Sequence, residues 1–282
     1  MWKRSRPTSA VSLATATVIV GAAALGTAAA VESLRGGCRY VEEFDIPGTP
    51  ARSGAPGMWR LRSEENPGVR WDHVALGDGL ASLTVPATAV NDDGGFQSLH
   101  WGPVEPYGAI EVRVRGAALP GYAGFLFTYT EPGDGTFDEI DLEILADDRD
   151  DGLSVDHATS TDLRLNSWNR ADAEAPPDPD ASVFTTIIDD SGQAVSIHDD
   201  GLFHTFTIDW QPDRVEFHVD GILQGRLEPP EGVPDRPTDV IVGLRDLGFG
   251  GRNVDDSGRP VWTGLAALDI DYIRVCDNGV ID

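Results

Sequence analysis

Lysine is almost missing from this 282-residue sequence: Lys3 is the only one, so arginine supplies every other strong base. Lysine and arginine together number 21 against 47 acidic residues, for a formal net charge of −26. A chain so short of positive charge repels phosphate backbones and anionic headgroups, which excludes nucleic acid and anionic lipid as partners bound without help. Cysteine is also scarce, and Cys38 and Cys276 leave room for one internal bridge at most. No internal repeat and no interior linker is present, so residues 31–282 read as a single domain.

What is abundant is glycine and proline, at 32 and 19 residues, beside 40% hydrophobic residues. That balance favours many strands and turns over long helices, and sandwiches of this size form single units. The first thirty residues have the layout of an export signal: Lys3, Arg4 and Arg6, an apolar run over residues 10–25, then Ala28-Ala29-Ala30. Cleavage after Ala30 makes the protein secreted, extracellular or periplasmic; an uncleaved anchor is the alternative, because the apolar run approaches spanning length. Cleavage removes three cations and no acid, taking the formal charge to −29, and the mature chain is expected to be a monomer off the membrane. In an exported chain the two cysteines invite a disulfide between Cys38, just before the first strand, and Cys276, just after the last.

The most informative stretch is residues 137–145, where acids and aliphatics alternate with the period of a β-strand that has one buried face. Ile140, Leu142 and Ile144 face a core, which puts Glu139, Asp141 and Glu143 in a row on the other side. Neighbouring carboxylates repel, and acids are poor strand formers, so a structural strand gains nothing from the row. Glycosidic bond cleavage does gain from it, since it needs one ionised and one protonated carboxyl, and like-charge repulsion separates the pKa values of such a set. A retaining mechanism asks for carboxyls roughly 5 to 5.5 Å apart. Four residues of strand span about 13 Å between Cα atoms, so the outer side chains must lean together over Asp141.

Here the chain resembles glycoside hydrolase family 16, whose retaining enzymes carry a Glu-x-Asp-x-Glu strand. The resemblance implies an all-β antiparallel sandwich of jelly-roll type with a concave substrate groove. It makes Glu139 the nucleophile, Glu143 the general acid/base and Asp141 the residue that hydrogen-bonds the nucleophile. Phe137 sits where the family places an aromatic residue. The preceding Phe125-Leu126-Phe127-Thr128-Tyr129-Thr130, joined to the acidic strand through Pro132-Gly133-Asp134-Gly135, reads as the other half of a hairpin and is similar to the mixed-linkage glucanase branch.

Other segments extend the likeness. Asn166 and Trp168, in an alternating run over residues 163–169, match positions that contact sugar, an exposed indole being a stacking platform for a pyranose. Trp262 falls where the family keeps a cleft tryptophan. Residues 239–246 are a strand where Gly243 and Arg245 replace the usual asparagine and tryptophan, and Gly95 and Gln97 replace a glutamate and an arginine on the substrate side. Residues 203–210 and 214–221 read as scaffold strands with Asp220-Gly221 as a hairpin turn, and residues 268–275 alternate as the last strand. Family members often hold a structural calcium away from the cleft, which here would use Asp271 and a backbone carbonyl near Gly79; no redox cofactor or catalytic metal is implied.

The resemblance implies hydrolysis, with retention, of internal β-1,3 or mixed β-1,3-1,4 linkages in a polysaccharide. A transglycosylase or a marine galactan hydrolase would use the same triad, and a non-catalytic carbohydrate-binding module is the alternative of a different class. A neutral polymer suits the acidic surface.

Overall fold

The computed structural model describes residues 37–45, 73–85, 96–117, 122–145, 160–174, 182–197, 200–229, 231–246 and 266–277. Among them are fourteen strands and no α-helix: β1 (Cys38–Glu42), β2 (Val74–Gly77), β3 (Leu80–Val85), β4 (Phe96–Val104), β5 (Gly108–Arg115), β6 (Tyr122–Thr130), β7 (Thr136–Leu145), β8 (Asp162–Asp172), β9 (Val183–Thr186), β10 (His204–Trp210), β11 (Val215–Val219), β12 (Ile222–Leu227), β13 (Thr238–Asp246) and β14 (Ala266–Cys276). All pairings are antiparallel. One sheet runs β12-β11-β10-β5-β14-β3-β2, with β1 added to β14; the other runs β4-β13-β6-β7-β8-β9.

Alternation explains which sides meet. Ile140, Leu142 and Ile144 from β7, Leu126 from β6, Val240, Val242 and Leu244 from β13 and Leu163 and Leu165 from β8 join one apolar cluster with Ile110, Val112, Phe206, Ile208, Trp210 and Phe217 of the larger sheet. The result is the antiparallel sandwich expected from the sequence, with β7 in the interior of the smaller sheet and its acids on the side away from the core. The buried indole of Trp210 donates to Pro234 O at 3.0 Å, so this ring belongs to the scaffold.

The turn chemistry is where the sequence placed it. β6 and β7 pair as a hairpin. Asp220 and Gly221, both at positive φ, join β11 to β12, as Asp78 and Gly79 join β2 to β3. Cys38 and Cys276 are partners in the β1–β14 ladder and form the disulfide, 238 residues apart in sequence.

The last strand differs from a simple alternation. A register shift between Ile270 and Tyr272 inserts one residue, so the core takes Leu268 and Ile270, then Ile273 and Val275. Asp271 and Tyr272 are thereby both turned from the core, toward Arg113 and Glu111 respectively. The strands β2, β9 and β12 have no counterpart in the sequence reading; they are short, and their alternation is weak.

Candidate active site

The burial of β7 reproduces the two-sided pattern: the three aliphatics are buried, Glu139 and Glu143 are half-buried, and Asp141 between them is only 4% exposed. Each acid stands in a row running across the sheet. Glu139 lies between Tyr129 of β6 and Trp168 of β8, Asp141 between Phe127 and Asn166, and Glu143 between Phe125 and Arg164. The rows continue into β13 at Asp239, Ile241 and Gly243, the last of which contributes no side chain. Phe125, Phe137 and Ile241 are buried yet stand outside the intersheet core, which fits an aromatic floor on this second face.

Asp141 accepts a hydrogen bond from Asn166 Nδ2 at 3.1 Å and is hydrogen-bonded to Glu139. Its burial, followed by the charges of Glu139 and Glu143, holds its carboxyl well above the ordinary value of 3.8. Asp141 therefore keeps its proton when solvated aspartates have lost theirs, beside the Glu139 carboxyl to which it is hydrogen-bonded.

Phe137 stacks on Tyr129 with ring centroids 5.8 Å apart and meets Trp168 edge-on at 6.3 Å. It is 7% exposed, so it supports the half-buried Trp168 from beneath more than it offers a face of its own. A register shift between Phe137 and Glu139 sets Asp138 apart from the alternation. Asp138, 1% exposed, takes both Nε and Nη2 of Arg236, with Nε at 2.7 Å, and its Oδ1 accepts from the backbone N–H of Arg170 at 2.7 Å. This buried clamp fixes the chain one residue before Glu139.

Arg164 and Arg236 carry no signal in the local pattern. Arg164 places Nη1 3.8 Å from Glu143 Oε2, and its Nε donates to Ser182 Oγ at 3.1 Å. Only the pairing of β7 with β8 reveals it as the neighbour of Glu143.

Of the other expected site residues, Arg245 is described in its backbone alone, paired with Ala123 and Phe96. Trp262 and Gly95 lie outside the described residues, as do residues 1–30 with the expected export signal. Asp271 and Gly79, the expected calcium ligands, both lie among the described residues. Asp271 ion-pairs through Oδ2 with Arg113 Nη1.

Residues 69–253, which include all of β7, match the family model described as glycosyl hydrolases family 16. A beta-glucanase of Bacillus subtilis is 29% identical over 184 residues, 65% of this chain and 62% of that protein. The chain thus spans about three fifths of the length of that relative. Among solved structures, a Bacillus licheniformis beta-glucanase superposes with a TM-score of 0.56 at 20% identity, covering 86% of this chain and 98% of the other. A Crh5 transglycosylase gives a TM-score of 0.54 at 19% identity, covering 88% of each chain. At those identities the two structures speak for the jelly-roll fold.

Proposed function

The chain belongs to glycosyl hydrolase family 16, and from that premise we propose that it is an endo-acting β-glucan hydrolase that cleaves internal β-1,3 or mixed β-1,3-1,4 linkages with retention. The observation that carries the reading is the placement of Glu139 and Glu143 on one side of β7 with buried, hydrogen-bonded Asp141 between them. In the proposed reaction Glu143 protonates the glycosidic oxygen while Glu139 attacks the anomeric carbon. The leaving sugar departs with that proton, and a glycosyl ester forms on Glu139. Glu143, now a carboxylate, takes a proton from water, which attacks the anomeric carbon and returns Glu139 to its ionised form.

Asp141 donates to Glu139 and keeps its carboxylate oriented, and Trp168 supplies a ring face for the adjoining sugar. No step runs through a metal or cofactor. The proposal includes export: the mature protein begins after Ala30 and acts on polysaccharide outside the cytoplasm.

The test is release of reducing ends from laminarin, lichenan, xyloglucan, agarose and carrageenan, with the anomer of the first product followed by NMR. Cleavage of laminarin or lichenan giving the β-anomer first is the expected result, and Glu139→Gln should abolish it with an unchanged melting temperature. Cleavage confined to the galactans would move the substrate class, a fate consistent with the replacements at Gly95, Gln97, Gly243 and Arg245. Transfer to a labelled acceptor oligosaccharide in preference to water would make the protein a transglycosylase. Binding of glucan without any cleavage, or an active Glu139→Gln protein, overturns the proposal.

A further inference from the structure

The larger sheet carries a second group of chemistry-bearing side chains, unrelated to the acidic row. Asp209 of β10 and Glu216 of β11 are direct cross-strand partners, and His218 lies two residues further along β11. The core takes Phe206, Ile208 and Trp210 from β10 and Val215, Phe217 and Val219 from β11, so alternation turns these three to the opposite face. One oxygen or nitrogen from each comes within 4.8 Å of the others.

His218 is 7% exposed, yet among the described residues neither ring nitrogen has a hydrogen-bond partner. Its Nε2 lies 3.9 Å from Glu216 Oε2, too far for a hydrogen bond. A buried imidazole with both nitrogens unmatched is costly and uncommon in a folded protein.

Both carboxylates are held by hydrogen bonds, and Glu216 is left with one oxygen toward the histidine. Glu216 Oε1 accepts from Arg214 Nε at 3.0 Å and Arg226 Nη1 at 3.3 Å, while Oε2 is the oxygen near His218. Asp209 Oδ1 accepts from Gln211 Nε2 at 2.5 Å. Hydrogen bonds to the outer oxygen of a ligating carboxylate are how proteins aim the inner one. Asp213 and Glu228 pair with the same two arginines, so three carboxylates pair with two guanidiniums, and with Asp209 beside them the cluster has an excess of negative charge that one divalent cation would offset.

We propose that Asp209, Glu216 and His218 form a zinc site that ties β10 to β11 on the outer face of the larger sheet. One imidazole nitrogen and two carboxylate oxygens suit Zn²⁺, whereas calcium and magnesium prefer oxygen-only sets. Tetrahedral zinc with bonds of about 2.0 to 2.2 Å holds its ligand atoms roughly 3.4 Å apart. His218 and Glu216 need to close by roughly half an ångström to meet that spacing, which side-chain rotation supplies. Water takes the fourth position, entering beside Glu216, whose side chain is 17% exposed. The site is structural and takes no part in glycoside cleavage.

The test is calorimetric titration of the chelator-treated full chain with zinc chloride, alongside thermal melts over a series of zinc concentrations. One tight ion per chain and a melting temperature that climbs with free zinc are expected. Loss of even an outer partner weakens metal sites about 10- to 100-fold, so His218→Phe should weaken binding by about a hundredfold or more and erase the thermal shift. His218→Phe should also melt no lower than the wild type without metal, since it removes two unmatched nitrogens. Asp209→Asn, which keeps the side-chain shape, carries the same test if His218→Phe does not fold. Glu139→Gln should bind zinc as the wild type does, which separates this site from the hydrolase reading. Zinc binding unchanged in both variants, no step at one ion per chain, or calcium bound as tightly as zinc would each overturn the proposal.

Discussion

Asn166 Nδ2 donates to Asp141 Oδ2 at 3.1 Å, and the two residues face each other across β7 and β8 in the middle row of the site. The amide satisfies one oxygen of a carboxyl that is otherwise enclosed between two glutamates. The other side of that carboxyl is hydrogen-bonded to Glu139, so Asp141 is held between an amide and the proposed nucleophile. Replacing Asp141 with Asn keeps the shape but changes the group presented to Glu139, and turnover should fall roughly a hundredfold, the scale of losing one aligned donor.

The same substitution has a pH signature in stability. In the unfolded chain Asp141 titrates near 3.8, and in the folded protein well above it, chiefly because of burial. Its contribution is fully present below the unfolded value. Between the two values the folded state still holds a proton that the unfolded state has released, so stability falls as pH rises across that window. Asp141→Asn has no proton to lose. Melting temperatures measured from pH 3.5 upward should therefore show the variant gaining on the wild type as pH rises, with the difference levelling once pH exceeds the folded value.

Trp168 is half-buried, opposite Glu139, with its ring braced on Phe137. Trp168→Ala should raise KM for glucan by about tenfold, the equivalent of about 1.4 kcal/mol of lost stacking at the site. Trp168→Phe should recover part of that loss. Initial rates over a range of substrate concentrations decide the point: an unchanged KM with a large drop in melting temperature would make Trp168 a packing residue.

Arg236 and Asp138 make the buried clamp before Glu139, and they predict an asymmetry. Arg236→Leu strands a carboxylate that is 1% exposed, a class of change that costs about 3 to 5 kcal/mol. Removing both charges in Asp138→Leu with Arg236→Leu should cost less than Arg236→Leu alone, because no buried charge remains. Urea unfolding of the two variants and the wild type gives the comparison.

How much of this was legible beforehand follows from what a strand pattern can encode. A period of two identifies a buried face from residues close in sequence, which is why Glu139, Asp141 and Glu143 and their core partners could be read directly. A bulge is different: whether an extra residue is accommodated depends on the partner strand. The shifts at Phe137/Glu139 and Ile270/Tyr272 therefore had no sequence signal, and Asp271 went to Arg113. Arg236 reaches Asp138 across 98 residues and Arg164 meets Glu143 only through register. His218 sat in a run read as scaffold, and only its burial and its unmatched nitrogens distinguish it.

The Cys38–Cys276 bridge closes nearly the whole domain, since its two residues are 238 apart. Both cysteines are buried, at 5% and 2% exposure, in strands that pair with each other. In the chain-entropy account a loop of that length restricts the unfolded ensemble most, and removing such a native bridge costs about 2 to 5 kcal/mol. For a domain of this size that corresponds to a melting temperature lower by roughly 5 to 15 °C. Cys38→Ser with Cys276→Ser should show this drop while leaving kcat unchanged, because β1 and β14 lie in the larger sheet and Glu139 and Glu143 stand in the smaller one. Thermal melts of the double variant, compared with the oxidised and reduced wild type, measure it. A reduced wild type that melts with the oxidised protein would show that the β1–β14 ladder holds without the bond.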